Sequence, residues 1–180
     1  MARREEEEEV RGRLGLAVKI LAEEMSPSLV PGAGSNIGYA LCGARTPSDV
    51  AGVEGGIVKA GRGVQPAGGV IFGAGEGVAR VVLTAMRTDP GIRSAAVIRY
   101  SAPALAILGD LLLEVCEFDR TREPPGVSTM EWGVASCCRE GVPDVIFDRG
   151  ASGREPLIRI LGEEPVSVAQ TIVAVSHRLS

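Results

Sequence analysis

A glycine-rich loop is the clearest candidate for ligand chemistry in this sequence. The apolar segment Val70–Phe72 runs into Gly73-Ala74-Gly75-Glu76-Gly77, and apolar residues then recur at helical spacing. The first N–H groups of a helix lack partners and lie at the positive end of the helix dipole, so such a loop favours an anion such as phosphate. A tight strand-to-helix turn without a ligand is the alternative, and the local sequence leaves both open.

The spacing of these glycines argues against a nicotinamide-dependent oxidoreductase. A dinucleotide-binding fingerprint requires GxGxxG and an acidic residue about 20 positions later. Here the third glycine comes one residue early, and the next predicted strand ends at Arg99 and Tyr100.

Three further polar clusters could supply ligand contacts. Gly34-Ser35-Asn36 offers a hydroxyl and an amide, which either bind a ligand or stabilise a turn. Asp119-Arg120 with Glu123, and Asp148-Arg149-Gly150 with Gly153-Arg154-Glu155, follow apolar strands. Open α/β sheets place ligands beyond the carboxyl ends of strands, so these clusters can share one cleft. Exposed ion pairs on loops are the alternative.

The histidine and cysteine content predicts neither a nucleophile nor a metal site. His177 is the only histidine, lies near the chain end and receives no catalytic role. The four cysteines form no CxxC pair, and no zinc-ligand spacing is present. We therefore expect reduced structural thiols at Cys42, Cys116, Cys137 and Cys138.

Composition and charge narrow the class of protein. The chain has 180 residues, and 45% of them are apolar but only 3% aromatic, which suits one domain with an aliphatic interior. The net charge of −4 argues against direct nucleic-acid binding by this chain. The sequence has no run of 18 apolar residues and no signal-peptide core, so we expect no membrane association and a cytoplasmic location.

The periodicity predicts alternating helices and strands, hence an α/β fold with helices on both sheet faces. An apolar stripe predicts a helix over 5–25, and residues 1–28 form an N-terminal helix within or leading into a domain at 29–180. Residues 47–50 are predicted as a helical turn, and 55–60 and 69–72 as strands around a glycine-rich hairpin. The other predicted strands are 35–42, 95–100, 115–118, 145–147 and 157–161. One further helix is predicted directly after the glycine loop, and the remaining predicted helices span 103–113, 130–140 and 166–179.

Short motifs in a consistent order resemble the ThiN-type thiamine-phosphate synthase domain. They run from about Leu29 to Glu164 and include Gly34-Ser35-Asn36-Ile37, Phe72-Gly73-Ala74, Phe118-Asp119-Arg120, Pro143-Asp144-Val145-Ile146 and Gly153-Arg154-Glu155-Pro156. The resemblance implies a three-layer α/β/α sandwich similar to class II (AraD-like) aldolases. Enzymes of this family join hydroxymethylpyrimidine diphosphate to thiazole phosphate and release pyrophosphate. A second branch, fused behind a helix-turn-helix domain, senses thiamine phosphate.

The sequence departs from the enzyme branch at positions that carry polar groups in the family. The family's Arg and His correspond to Gly56 and Gly77, and an Asn corresponds to Val97. An Arg and a His would stabilise the charge that grows on the leaving pyrophosphate. We therefore expect no catalytic residues and a non-catalytic sensor of thiamine phosphate or a phosphorylated precursor. The alternative is an active synthase in which Lys59, Arg62 or Arg80 supplies the charge.

The resemblance and the local patterns together define the expected site and partners. Mg²⁺ is expected only if the domain is catalytic, and no other cofactor is expected. A homodimer is the expected assembly, because two-fold pairs are the commonest oligomers. Gene regulation would require a DNA-binding partner. The expected ligand-binding residues are Gly34, Ser35, Asn36, Gly73, Ala74, Gly75, Gly77, Asp119, Arg120, Glu123, Asp148, Gly150, Gly153, Arg154 and Glu155.

Overall fold

The computed structural model is a central sheet with helices on both faces. It describes residues 2–126 and 129–179, except for the side chains of 129–131. The helices in these ranges are α1 (Ala2–Glu24), α2 (Glu76–Thr88), α3 (Ala102–Asp110), α4 (Thr129–Cys137) and α5 (Pro165–Leu179). The strands are β1 (Asn36–Ala40), β2 (Val50–Val53), β3 (Ile57–Ala60), β4 (Gly63–Pro66), β5 (Val70–Phe72), β6 (Ser94–Arg99), β7 (Val115–Glu117), β8 (Val145–Phe147) and β9 (Leu157–Gly162).

Seven strands form the main sheet in the order β5-β2-β1-β6-β9-β8-β7. All neighbours are antiparallel except β7 and β8, which run parallel. The predicted α/β class is confirmed, but the alternation of elements did not reveal this antiparallel pairing. The reason is that helices connect strands in parallel and in antiparallel sheets alike. The direction in which two strands pair is decided by contacts between residues distant in sequence.

Alternate residues of each strand face opposite layers, which is why the sheet can support two cores. In β6, Ala96 and Ile98 belong to a core that includes α1, α3 and α5. Their neighbours Ala95 and Val97 belong to a second core that includes α2 and residues of α4. The three-layer α/β/α prediction is confirmed.

Helix α1 follows the predicted apolar stripe. Val10, Leu14, Val18 and Leu21 are all buried, and the helix packs against α5 and the sheet. In the glutamate run near the start of α1, Glu5, Glu8 and Glu9 are exposed, whereas Glu6 and Glu7 are half-buried. None of the helices in the described ranges is long and apolar enough to cross a membrane.

The prediction of a hairpin between 55–60 and 69–72 is wrong. β3 instead pairs with β4, a strand that the sequence analysis missed because Val64 is its only large apolar residue. β5 pairs with β2, which had not been predicted as a strand. The predicted helical turn at 47–50 covers Pro47–Asp49, and Val50 already begins β2. Glycine-rich segments carry little strand signal, since a missing side chain contributes nothing to periodicity.

The expectation that all cysteines are reduced is wrong for two of them. Cys116 on the edge strand β7 and Cys137 at the end of α4 form a disulfide, with their Cα atoms 5.9 Å apart. Cys42 and Cys138 are free, and burial raises the pKa of the Cys138 thiol. Cysteine spacing in the sequence could not predict this bond, because Cys116 and Cys137 are 21 residues apart and meet only through tertiary packing.

Candidate functional site

A cavity of about 690 Å³ opens at one end of the main sheet. The start of β1, the end of β2, the end of β6 and the start of β9 meet there, as their antiparallel register requires. The cavity is lined by Pro31, Gly32, Ala33, Gly34, Ser35, Asn36, Val53, Gly55, Gly56, Gly75, Gly77, Val78, Val97, Arg120, Arg154, Glu155 and Leu157.

The structure brings about half of the expected ligand-binding residues to this cavity. Those that line it are Gly34, Ser35, Asn36, Gly75, Gly77, Arg120, Arg154 and Glu155. Those that lie outside its lining are Gly73, Ala74, Asp119, Glu123, Asp148, Gly150 and Gly153. The sequence analysis missed the loop 31–33 and the apolar wall, because apolar residues at strand ends look the same whether they face a ligand or a core.

The side-chain donors of Ser35 and Asn36 are engaged by the protein backbone. Ser35 Oγ donates to the Val97 carbonyl at 2.6 Å, and Asn36 Nδ2 donates to the Val53 carbonyl at 3.0 Å. Asn36 Oδ1 accepts from the amides of Ile37 and Val53. These bonds tie the start of β1 to both neighbouring strands, so the two side chains hold together the strands that line the cavity.

The glycine loop is pressed against the sheet. A Cβ on Gly52 of β2 would lie 2.6 Å from the Ala74 carbonyl oxygen, and a Cβ on Gly75 would lie 2.8 Å from Asn36 Nδ2. Gly75 has φ 68° and caps the N-terminus of α2. The predicted strand, loop and helix are therefore present, and the first turn of α2 meets the cavity at Gly75 and Gly77.

Gly56 lies in a turn that only glycine adopts without strain. Gly55 and Gly56 both have φ 76°, and the Gly56 amide donates to the Val53 carbonyl. A Cβ on Gly56 would lie 2.7 Å from the Ser35 backbone oxygen. A side chain at this position therefore requires a change in the backbone of the cavity wall.

We expect Gly56→Ala to lower the free energy of unfolding by about 1–3 kcal/mol, because it combines a left-handed backbone with a backbone clash. Chemical denaturation measures this loss. Gly63→Ala is the control, since Gly63 has no positive φ and open space around its Cβ position. Equal stability of Gly56→Ala and the wild type would contradict the tight turn.

A network of buried charged side chains contacts the lining residue Arg120. Arg120 donates from Nη1 to the Glu155 carbonyl at 3.1 Å and from Nη2 to Asp148 Oδ2 at 3.2 Å. Asp148, fully buried, also accepts from Arg159 Nη1 at 2.8 Å and from the Gly150 amide at 2.7 Å. Asp148 and Gly150, predicted as ligand contacts, thus support Arg120 from outside the lining.

Arg159 is a buried member of this network that the sequence analysis overlooked. It is fully buried in β9, and its guanidinium lies 4.9 Å from the centre of the Phe118 ring. Burial lowers the pKa of Arg159, and the carboxylate of Asp148 opposes that shift. A lone arginine within the apolar run Leu157–Leu161 was the available signal, because a charge inside a strand needs a buried partner.

Two carboxylates organise the loops at the cavity mouth. Both oxygens of Glu155 accept from the Gly32 amide, at 2.7 and 2.9 Å, which joins the loop before β1 to the loop before β9. Glu123 Oε2 accepts from Arg154 Nη1 at 2.5 Å.

The remaining predicted residues at this end of the sheet shape turns. Asp119 accepts from the hydroxyl and the amide of Thr121, which lowers the pKa of Asp119. Gly153 sits in the turn that pairs Ala151 with Arg154. Within 2–126 and 129–179, no group of three or more His, Cys, Asp or Glu side chains is placed to hold a metal ion.

Residues 13–174 match the family described as thiamine-phosphate synthase ThiN. The chain belongs to the ThiN family. It is 39% identical over 168 residues to the bifunctional thiamine biosynthesis protein ThiDN of Methanocaldococcus jannaschii, covering 92% of this chain but only 40% of that protein. It is 34% identical over 157 residues to the thiamine-phosphate synthase ThiN of Methanothermobacter thermautotrophicus, covering 83% of each.

Solved structures share the fold of this chain. The C-terminal domain of a phosphomethylpyrimidine kinase superposes with a TM-score of 0.87 at 35% identity, covering 93% of this chain and 98% of that one. L-fuculose-1-phosphate aldolase from Thermus thermophilus superposes with a TM-score of 0.51 at 16% identity, covering 94% of each chain. The likeness to the aldolase shows the fold alone and confirms the predicted similarity to class II aldolases.

Proposed function

We propose that this ThiN-family chain binds thiamine phosphate, or a related phosphorylated thiamine precursor, without synthesising it. The supporting observation is that Gly56 and Gly77 both line the cavity. These are the positions to which the family resemblance assigns the Arg and His of the enzymes. Loss of one donor that stabilises transition-state charge costs about two to three powers of ten in rate, so loss of both leaves little turnover.

The charges at the cavity suit thiamine phosphate itself. Its thiazolium ring is positive and its phosphate is negative. Arg120, Arg154 and Glu155 all line the cavity, so residues of both charges are present there. The volume of about 690 Å³ lies in the range of small-molecule sites.

An active thiamine-phosphate synthase is the second candidate. It is favoured by the name of the Methanothermobacter thermautotrophicus relative and by the guanidinium groups of Arg120 and Arg154 at the cavity. The cationic side chains that could replace the missing Arg and His do not support the synthase candidate. Lys59, Arg62 and Arg80 do not line the cavity, and Arg80 is paired with Glu76 at 2.7 Å.

Calorimetric titration with thiamine phosphate, combined with a synthase assay on the same preparation, tests the proposal. We expect saturable binding of thiamine phosphate and weaker binding of glycerol phosphate, which shares only the phosphate. We expect no pyrophosphate release from hydroxymethylpyrimidine diphosphate and thiazole phosphate above the protein-free rate.

The two parts of the proposal fail separately in this experiment. Pyrophosphate release that depends on both substrates would replace the non-catalytic proposal with the synthase. Absence of thiamine phosphate binding at millimolar concentration would remove the ligand assignment.

A further inference from the structure

Arg120 is buried and yet lines the cavity. Its side chain is only 7% exposed. A guanidinium carries five N–H donors. Arg120 donates one hydrogen bond to the Glu155 carbonyl and one to Asp148, and its buried Nε has no protein partner among the described residues. Each Nη also carries a second N–H that these two bonds leave uncommitted, so the guanidinium of Arg120 can donate to an acceptor brought by a ligand.

The carboxylate nearest to Arg120 is shared with a second guanidinium. Asp148 Oδ2 lies 3.2 Å from Arg120 and 2.8 Å from Arg159, and Asp148 Oδ1 accepts from the Gly150 amide. Asp148 therefore divides its negative charge between two arginines. The second carboxylate near the cavity, that of Glu155, accepts from the Gly32 amide with both oxygens. Neither carboxylate is therefore committed to Arg120 alone.

The same contacts hold the Arg120 guanidinium in one orientation. Nη1 is bound to a backbone carbonyl and Nη2 to a fully buried carboxylate, so its plane is fixed before any ligand arrives. Preorganised groups bind more tightly because less freedom is lost on binding. The planar fork of arginine matches the geometry of phosphate oxygens.

We propose that Arg120 binds the phosphate of the ligand, in an anion subsite that is separate from the start of α2. This inference rests on the proposed function in that the cavity holds a phosphorylated molecule. The start of α2 contacts β1, where Gly75 meets Asn36, whereas Arg120 contacts the loop that leads into β9. The two places therefore lie against different parts of the sheet, because β6 stands between β1 and β9.

The test compares affinities for thiamine phosphate and thiamine in wild type, Arg120→Met, Arg120→Lys and Arg122→Met. Arg122 is exposed in the same short turn and serves as the matched control. We expect Arg120→Met to weaken thiamine phosphate binding roughly 10- to 100-fold, as expected for a hydrogen bond to a charged group, and to change thiamine binding less than threefold. Arg120→Lys should lose less, because it keeps the charge and loses only the fork.

Two calorimetric outcomes would overturn the subsite while leaving the proposed function intact. One is unchanged thiamine phosphate affinity in Arg120→Met. The other is an equal loss for thiamine and thiamine phosphate, which would make Arg120 a residue that shapes the cavity. Circular dichroism confirms folding, and if Arg120→Met does not fold, the same comparison is decided with Arg120→Lys.

A second measurement keeps the subsite testable if thiamine phosphate does not bind. Inorganic pyrophosphate should raise the thermal midpoint of the wild type and of Arg122→Met, but not of Arg120→Met or Arg120→Lys to the same extent. If pyrophosphate does not stabilise the wild type and thiamine phosphate does not bind to it, both the subsite and the proposed function are refuted. Stabilisation that depends on Arg120 would retain the subsite alone.

Discussion

Asp148→Asn is expected to lower the free energy of unfolding by about 3–5 kcal/mol. The Asp148 carboxylate is fully buried and accepts from Arg120, Arg159 and Gly150. Asparagine keeps the shape but removes the negative charge, and its NH2 group would face either the two guanidinium groups or the Gly150 N–H, which are all donors. The cost arises because buried positive charges lose their partner, which is far more unfavourable than losing an exposed ion pair.

Urea denaturation of Asp148→Asn and Glu117→Gln measures this difference. Glu117 pairs with Arg149 at 3.0 Å, but both side chains are largely exposed, so this control should lose less than about 1 kcal/mol. A loss below about 1 kcal/mol in Asp148→Asn, with an unchanged denaturant slope, would show that Asp148 does not hold the two arginines in place.

The double variant Cys116→Ser/Cys137→Ser is expected to lose about 3 kcal/mol of stability relative to the oxidised protein. The disulfide closes a segment of the chain between residues 21 apart and so restricts the unfolded state. It also fastens the edge strand β7 to α4, beside the loop that presents Arg120.

Thiol counting and denaturation together check this second prediction. Unfolded, unreduced protein should expose two reactive thiols, those of Cys42 and Cys138, and reduced protein should expose four. Cys42→Ser is the control, because Cys42 is exposed and free. Four reactive thiols before reduction, or a double variant as stable as the wild type, would contradict the disulfide.

Both effects concern residues that support the cavity rather than residues that line it. Asp148 holds Arg120 in place, and the disulfide of Cys116 joins β7, the strand before Arg120, to α4. Binding measurements on such variants are therefore interpretable only beside a folding measurement. Arg120 is the better probe of the ligand, because it lines the cavity and Asp148 keeps Arg159 as a partner when Arg120 is replaced.

Local sequence was sufficient where a clear apolar pattern defined an element, but not for the pairing of the glycine-rich strands. The stripe Val10, Leu14, Val18 and Leu21 determined the buried face of α1, because side chains at that spacing lie on one side of a helix. The transition from β5 through the glycine loop to α2 was predictable, since an apolar run, glycines and a helical pattern follow one another directly. Ordered motifs were also sufficient to identify the ThiN family.

Tertiary structure alone decided which polar residues share the cavity. Asp148 and Arg120 are 28 residues apart, and nothing local indicated that one lies beneath the other. Gly73 and Gly75 are two residues apart, yet only Gly75 lines the cavity, because the loop turns against β2. The pairing of Cys116 with Cys137 has the same origin. Contacts between distant segments depend on how strands and helices pack, and short-range patterns carry no record of that packing.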